Sequence, residues 1–237
     1  MFSRMKEDIQ VVFERDPAAR STLEVILAYP GVHAIWAHRV AHWLWEHNLK
    51  LVARLISEFA RFTTGIEIHP GARLGRRLFI DHGAGVVMGE TTEVGEDCLI
   101  YQGVTLGGTS LKKEKRHPTL DDHVMVSSGA AVIGPVRIGR GSRIGAGAVV
   151  VSSAPPYSTI VGIPGKVIEG ESARQDVMAL EHAKLPDPVA RALNQLVEEL
   201  NRVTVRVAEV EERQDCLEDK VSEHHPPEQE APAAKRG

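Results

Sequence analysis

An aspartate and a histidine, Asp81 and His82, stand side by side in the stretch FIDHGAGVVMGE at 79–90. Imidazole gains and loses protons near neutral pH, so a histidine beside a carboxylate is a candidate general base. Glu67 lies 15 residues upstream of His82, and a carboxylate behind an imidazole can hold its tautomer and stabilise the imidazolium. These residue types indicate proton transfer as the chemistry of the site.

A basic run, KKEKR at 112–116, ends at Arg116 and is followed by His117. Arginine binds carboxylates through two parallel hydrogen bonds, which makes Arg116 a candidate ligand for an acidic group of a substrate. The run itself fits either a solvated surface loop or a segment that attracts a phosphorylated cofactor. Further acid–base candidates in this part of the chain are His69, Glu90, Asp97, Asp121, Asp122 and His123.

The scaffold that positions these side chains is visible as a six-residue period. Aliphatic residues recur on it in three blocks, which are Ile68, Leu74, Ile80 and Val86; Val94, Ile100 and Leu106; and Val126, Val132, Ile138, Ile144 and Val150. Such hexapeptide repeats predict a parallel β-helix, in which each repeat points one aliphatic side chain inward and glycine serves the corners. The stacked coils bury one continuous apolar column. With about 18 residues in a coil, Glu67 is expected to stack close to His82.

The flanking regions predict helices. Residues 1–64 show helical spacing, with an N-cap at Asp16–Pro17 and a break at Tyr29–Gly31. A heptad pattern over 186–222 predicts a coiled coil, and the alternative is an amphipathic helix packed on its own subunit. We therefore expect an α+β chain with a helical region at 1–64, a β-helix catalytic domain at 65–170 with a loop at 108–121, a C-terminal coiled-coil helix at 171–222, and a disordered tail at 223–237.

Composition narrows the class of protein. The net charge of −4 argues against nucleic acid as the main partner, because a phosphate backbone needs a basic surface. Two cysteines, Cys98 and Cys216, form neither a disulfide framework nor a CxxC metal site. The first residues lack an apolar signal segment, and no apolar run approaches about 18 residues, so we expect a cytoplasmic protein with no membrane partner.

Several motifs on this grid together resemble one enzyme family. FIDHGAGVVMGE, YQGVTLGGT and KRHP, with RDPAARS at 15–21 and HRVAHWLW at 38–45, closely resemble serine O-acetyltransferase, an enzyme of cysteine biosynthesis. The resemblance covers about residues 8–170. It implies a left-handed β-helix and direct transfer of the acetyl group from acetyl-CoA to the hydroxyl of L-serine, which gives O-acetylserine. Acetyl-CoA is then a co-substrate, and no permanently bound cofactor or metal is implied.

The resemblance also implies roles for individual residues of the serine site. His82 matches the general base, and Glu67 matches the acidic residue that orients it, where the long forms of the family carry aspartate. Asp16 and Asp81 match the residues that bind the substrate ammonium. Arg116 matches the ligand of the substrate carboxylate, and His117 matches a residue that assists at the same site.

For the co-substrate and the assembly, the resemblance implies further expectations. Acetyl-CoA is expected between neighbouring subunits, beside Gly108, Thr109 and Ala146, with Lys166 offering a basic side chain to a CoA phosphate. A homotrimer or a dimer of trimers is expected, with L-cysteine as a feedback inhibitor. A complex with cysteine synthase is not expected, because the sequence ends in AAKRG and not in isoleucine.

Three other functions fit parts of the same pattern. The first is acetyl transfer to another small hydroxyl acceptor, such as a sugar. The second is a zinc-dependent γ-type carbonic anhydrase, with His82, His117 and His123 as ligands. The third is a non-catalytic scaffold organised by the coiled coil. The opposite charges of Asp16 and Arg116 favour an amino acid, since they match its ammonium and its carboxylate.

Overall fold

The computed structural model describes residues 2–168, 197–204 and 206–207. Four helices come first: α1 (Phe2–Arg15), α2 (Thr22–Ala28), α3 (Pro30–Glu46) and α4 (Lys50–Thr64). Fifteen short strands follow: β1 (Glu67–Ile68), β2 (Arg73–Leu74), β3 (Phe79–Ile80), β4 (Val87–Met88), β5 (Glu93–Val94), β6 (Leu99–Ile100), β7 (Thr105–Gly107), β8 (Thr119–Leu120), β9 (Met125–Val126), β10 (Ala131–Ile133), β11 (Arg137–Ile138), β12 (Arg143–Ile144), β13 (Val149–Val150), β14 (Thr159–Val161) and β15 (Lys166–Ile168). None of the helices in these ranges is long and apolar enough to cross a bilayer.

The strands form three sheets that the chain visits in turn. Sheet A has the order β1-β4-β7-β10-β13, sheet B the order β11-β8-β5-β2, and sheet C the order β15-β14-β12-β9-β6-β3. Every pair is parallel except β14–β15. Each coil therefore has three sides, and the stack is the parallel β-helix that the six-residue period predicts.

The inward column departs from the predicted grid at one place. In sheet A the register joins Ile68 to Met88 and Met88 to Leu106, so the inward residue of β4 is Met88 and not Val86. Both side chains are fully buried, but Val86 lies in the corner before the strand. The corner between β3 and β4 has six residues, whereas the equivalent corner between β6 and β7 has four. Two additional residues in this corner shift the period.

The helical region follows the prediction with two differences. Tyr29 separates α2 from α3 as expected, but α2 begins at Thr22 with Ser21 as its N-cap, whose Oγ accepts from Glu24 N over 3.2 Å. The predicted cap at Asp16 is wrong, because its Oδ1 accepts from Ala18 N in a local turn outside any helix. A second break at 47–49 separates α3 from α4.

The three sheets make the β-helix a three-sided prism, and the side chains on its three outer faces differ in polarity and charge. On sheet C, Phe79, Leu99 and Met125 face outward and pack in one cluster with Val11 and Val12 of α1 and with other helical residues. Sheet B carries an outward row of Arg73, Glu93, Thr119 and Arg137. Sheet A carries an outward row of Glu67, Val87, Thr105, Ala131 and Val149. Beyond Glu67 on its first strand, this row has no charged residue.

Backbone carbonyls at both ends of the stack accept hydrogen bonds from outside the regular coils. At the first coil, Ser57 Oγ donates to Ile68 O over 2.7 Å, and His42 Nδ1 donates to Pro70 O over 2.7 Å. At the last coil, Gly165 N donates to Val149 O over 2.7 Å, and β15 pairs with β14 in the antiparallel sense. Helix side chains therefore cover part of the first coil, and a returning strand covers the sheet C side of the last coil.

Residues 197–204 and 206–207 are helical, and Leu200, Val203 and Val207 are exposed on this helix. These three belong to the predicted heptad positions. The rest of the predicted coiled coil and the predicted tail lie outside the described residues.

The buried His38 of α3 predicts a pH-dependent stability. Burial lowers the pKa of its imidazole from 6.5 to about 3, and the charge of His42 acts in the same direction. Below pH 6.5 the unfolded chain therefore binds a proton at His38 that the folded chain does not. The contribution of His38 to the free energy of unfolding is complete above that pH and is lost as the pH falls. We expect the free energy of unfolding to be about 2 kcal/mol lower at pH 5 than at pH 8.

Urea unfolding of the wild type and of His38→Gln at the two pH values measures this effect. Glutamine keeps an amide donor at the position of the imidazole Nε2 but does not titrate. The pH dependence should shrink in the variant. The same pH dependence in both proteins would contradict the assignment to His38.

Candidate functional site

His82 lies in the enlarged corner between β3 and β4. Its φ is 59°, and the neighbouring Gly83 has a φ of 76°. A Cβ at Gly83 would lie 2.4 Å from Ile66 Cδ1, and the positive φ would strain any larger residue there. The His82 side chain is 76% exposed. A non-glycine residue in the left-handed region carries backbone strain, and His123 at another corner shares this conformation, so it is a feature of the turns and not of His82 alone.

The carboxylates near His82 are Asp81 and Glu67. His82 Nε2 lies 3.9 Å from Asp81 Oδ1, which is too long for a hydrogen bond. Glu67 is in register with Val87, five residues beyond His82, and its carboxylate lies 3.9 Å from Arg61 Nε. Within residues 2–168, no hydrogen bond joins Glu67 to His82, although their backbone segments adjoin through a bond from Gly85 N to Gly65 O of 2.9 Å.

Asp16 reaches the same edge of the prism from the helical region. Its Oδ2 accepts from the Tyr29 hydroxyl over 2.6 Å. Burial raises the pKa of Tyr29 to about 12, and the bond to Asp16 and the charges of Asp16 and Asp81 act in the same direction. The structure therefore places Asp16, Asp81 and His82 together with Tyr29 at the edge between sheets C and A. Only the break at Tyr29 marked that residue in the sequence.

Arg116 and His117 lie at a different edge, against the corner between β4 and β5. Arg116 Nη2 donates to Glu90 Oε2 over 2.5 Å, and this bond lowers the pKa of Glu90. Thr91 Oγ1 accepts the backbone N–H groups of Arg116 and His117, both over 3.1 Å. Thr91 thus holds the end of the loop on the prism, a role that no sequence motif indicated.

The hydrogen bonds of His117 define its tautomer. Its Nδ1 accepts from Thr91 N over 3.2 Å and lies 3.0 Å from Thr91 Oγ1. Because Nδ1 accepts, the ring proton of the neutral imidazole is on Nε2. Burial and then the charge of Arg116 lower the pKa of His117, which favours this neutral form. His117 therefore presents an N–H donor at Nε2.

Two glycines make room for that Nε2 atom. A Cβ at Gly89 would lie 1.9 Å from His117 Nε2, and one at Gly108 would lie 3.0 Å from it. The imidazole is almost fully buried, with 8% of the residue exposed. The Nε2 donor of His117 therefore lies between Gly89 and Gly108, beside the predicted acetyl-CoA segment at Gly108 and Thr109.

The predicted site residues form two groups on separate edges of one chain. His82, Asp81 and Asp16 lie at the edge between sheets C and A, and Arg116 and His117 lie at the edge between A and B. The predicted acetyl-CoA residues divide in the same way. Gly108 and Thr109 follow β7 at the A–B edge, Ala146 lies in the C–A corner before β13, and Lys166 is exposed on β15.

The histidines of the zinc hypothesis are also apart. His82, His117 and His123 lie at three different edges, since His123 follows β8 in the corner that leads to sheet C. Among residues 2–168, 197–204 and 206–207, no three histidine, cysteine or carboxylate side chains are grouped as a metal site.

Comparisons with known proteins agree on one enzyme. No family model matches the chain. The serine acetyltransferase of Bacillus licheniformis is 53% identical over 218 residues, which are 91% of this chain and 99% of that protein. The serine acetyltransferase of Bacillus subtilis is 53% identical over 223 residues, 93% of this chain and 100% of that protein.

Solved structures give the same result. The serine acetyltransferase of Neisseria gonorrhoeae in complex with serine superposes with a TM-score of 0.68 at 40% identity, over 71% of this chain and 69% of that one. A serine acetyltransferase in complex with cysteine superposes with a TM-score of 0.71 at 35% identity, over 74% and 68% of the two chains.

Proposed function

The chain belongs to the serine acetyltransferase family, and from that premise we propose how its residues divide the catalytic work. The reaction transfers the acetyl group of acetyl-CoA to the hydroxyl of L-serine and gives O-acetylserine for cysteine biosynthesis. The observation that carries the proposal is the separation of the site residues on two edges of the prism.

We propose that two subunits share each active site. One subunit contributes the edge with His82, Asp81 and Asp16, and its neighbour contributes the edge with Arg116 and His117. Sheet A lies between these two edges and presents its nearly uncharged outer face, so contact through this face would bring the edges of neighbours together. A closed trimer repeats this contact three times, and we propose it as the minimal assembly, with coils wound left-handed as in the family.

In the shared site, the charges of the residues match the groups of serine. Asp16 and Asp81 would bind the ammonium, and Arg116 would bind the carboxylate in the bidentate manner of guanidinium. The bond from Arg116 to Glu90 uses Nη2, so the rest of the guanidinium is available to the substrate. This arrangement favours an amino acid over a sugar as the acceptor.

His82 is the proposed general base. It would take the proton of the serine hydroxyl as that oxygen attacks the thioester carbonyl of acetyl-CoA. The C–S bond then breaks, and the CoA thiolate leaves and receives the proton from the imidazolium. Glu67, from the coil below, would stabilise that imidazolium through its negative charge. Holding both substrates in one complex makes the attack effectively unimolecular.

His117 would act as a hydrogen-bond donor at Nε2 and not as a second base, because Thr91 occupies its Nδ1. Acetyl-CoA would lie between the subunits, beside Gly108 and Thr109 of one and Ala146 of the other, with Lys166 near a phosphate. We also propose that L-cysteine, which has the same ammonium and carboxylate as serine, competes for this site. One related structure contains bound cysteine.

A subunit-mixing experiment tests the shared site. His82→Ala subunits lack one half of the site and Arg116→Ala subunits lack the other half. In co-expressed trimers, about three quarters are mixed and each mixed trimer has one unaltered site, so about a quarter of the wild-type activity should return. If mixing restored no activity beyond that of the two parent variants, the site would lie within one subunit.

A further inference from the structure

We propose that Tyr29 is a positioning residue for the substrate ammonium and that it acts through Asp16. The inference rests on the proposed role of Asp16 in binding that ammonium. Tyr29 is 13 residues from Asp16, between α2 and α3, and its hydroxyl donates to Asp16 Oδ2 over 2.6 Å. A bond of this length to a carboxylate is a strong one.

The Asp16 carboxylate is held at both of its oxygens. Oδ1 accepts from Ala18 N over 2.8 Å, and Oδ2 accepts from the Tyr29 hydroxyl. Each carboxylate oxygen has two acceptor sites, so one remains on each oxygen. Two bonds from different directions fix the plane of the carboxylate, and the remaining acceptor sites therefore point in fixed directions. An ammonium, with three donors, is sensitive to those directions.

A close backbone approach brings Tyr29 to this place. Gly31, at the start of α3, packs against β3 so closely that a Cβ there would lie 2.2 Å from Ile80 O. Asp81 follows Ile80 directly. The absence of a side chain at Gly31 thus allows the residues before α3 to reach the end of β3, next to Asp81.

The electrostatics agree with this role. The charges of Asp16 and Asp81 both act on the Tyr29 hydroxyl, whose pKa of about 12 keeps it protonated at neutral pH. A neutral donor near two carboxylates offsets part of their mutual repulsion. Tyr29 therefore helps two acidic side chains to share one ammonium, which is a contribution to affinity and not to the chemical step.

Steady-state kinetics of Tyr29→Phe test the proposal. Phenylalanine fills the same space and removes only the hydroxyl. We expect the KM for serine and the inhibition constant of cysteine to rise together, each about tenfold, as for one lost hydrogen bond to a charged group. The KM for acetyl-CoA and kcat should change less than about twofold, because the lost bond affects neither thioester nor base. Tyr157→Phe is the matched control, since its exposed ring lies in the turn before β14.

A double-mutant cycle with Asp16→Asn shows whether Tyr29 acts through Asp16. In the Asp16→Asn background, Tyr29→Phe should add less than about twofold to the KM for serine. A full tenfold effect there, or equal losses for both substrates, would mean a general structural role and would overturn the proposal. If Asp16→Asn raises the KM for serine and Tyr29→Phe does not, the role proposed for Tyr29 is wrong and the role of Asp16 stands. If Asp16→Asn has no effect, the ammonium role of Asp16 fails, and the role of Tyr29 fails with it.

Discussion

Replacing His82 with alanine should lower kcat by about 10²- to 10⁴-fold, the range that a positioned general base contributes. The side chain is 76% exposed and makes no hydrogen bond within residues 2–168, so its removal should leave the coil intact. The KM values should change little, because His82 is proposed to act on the serine proton and not to bind either substrate. Steady-state kinetics with both substrates measure the effect.

His123→Ala is the matched control for His82→Ala. His123 has a φ of 57°, close to the 59° of His82, so alanine carries a similar backbone cost at both corners. Thermal unfolding should therefore show similar losses of stability for the two variants, while only His82→Ala loses activity. A His82→Ala enzyme that keeps a rate within a few-fold of the wild type would remove His82 from the role of base.

Replacing Gly89 with alanine should lower kcat/KM for serine about 100-fold. The new Cβ would lie 1.9 Å from His117 Nε2, so the imidazole must move away. That movement breaks its two contacts with Thr91, and a displacement of about 1 Å in an active site can cost about this factor. Kinetics of the folded variant measure the loss, and circular dichroism checks that the prism persists.

The effect of Gly89→Ala should disappear when the imidazole is absent. In a His117→Ala background, the same change at Gly89 no longer meets the imidazole, and we expect it to cost less than about threefold more. If Gly89→Ala lowered the activity by its full factor in that background, the added methyl group would act on something other than His117.

The repeat architecture was predictable because its constraint is periodic. Each side of a coil must supply one inward aliphatic residue, so the period survives in the sequence even where the corners vary. The six-residue period mispredicts the inward residue at one position, Val86, and the reason is a structural one. The shift from Val86 to Met88 arises from the two additional residues of the His82 corner, so the irregular step in the period coincides with the proposed base.

The side-chain partners of the site were less accessible from sequence. The bond between Tyr29 and Asp16 depends on how α1 and α3 pack on sheet C, which no local pattern encodes. The prediction that Glu67 stacks close to His82 assumed that every coil has the same length of about 18 residues. The register with Val87 shows that side chains one coil apart align by strand position and not by residue count.

The capped ends of the prism have a consequence for the behaviour of the protein in concentrated solution. A stack of similar coils is a template on which another copy can add further coils, since open strand edges recruit other strands. Ser57 and His42 occupy carbonyls at the first coil, and the antiparallel β15 reverses the direction of pairing at the last. These contacts leave fewer free backbone groups at the two ends for the strands of another copy to pair with.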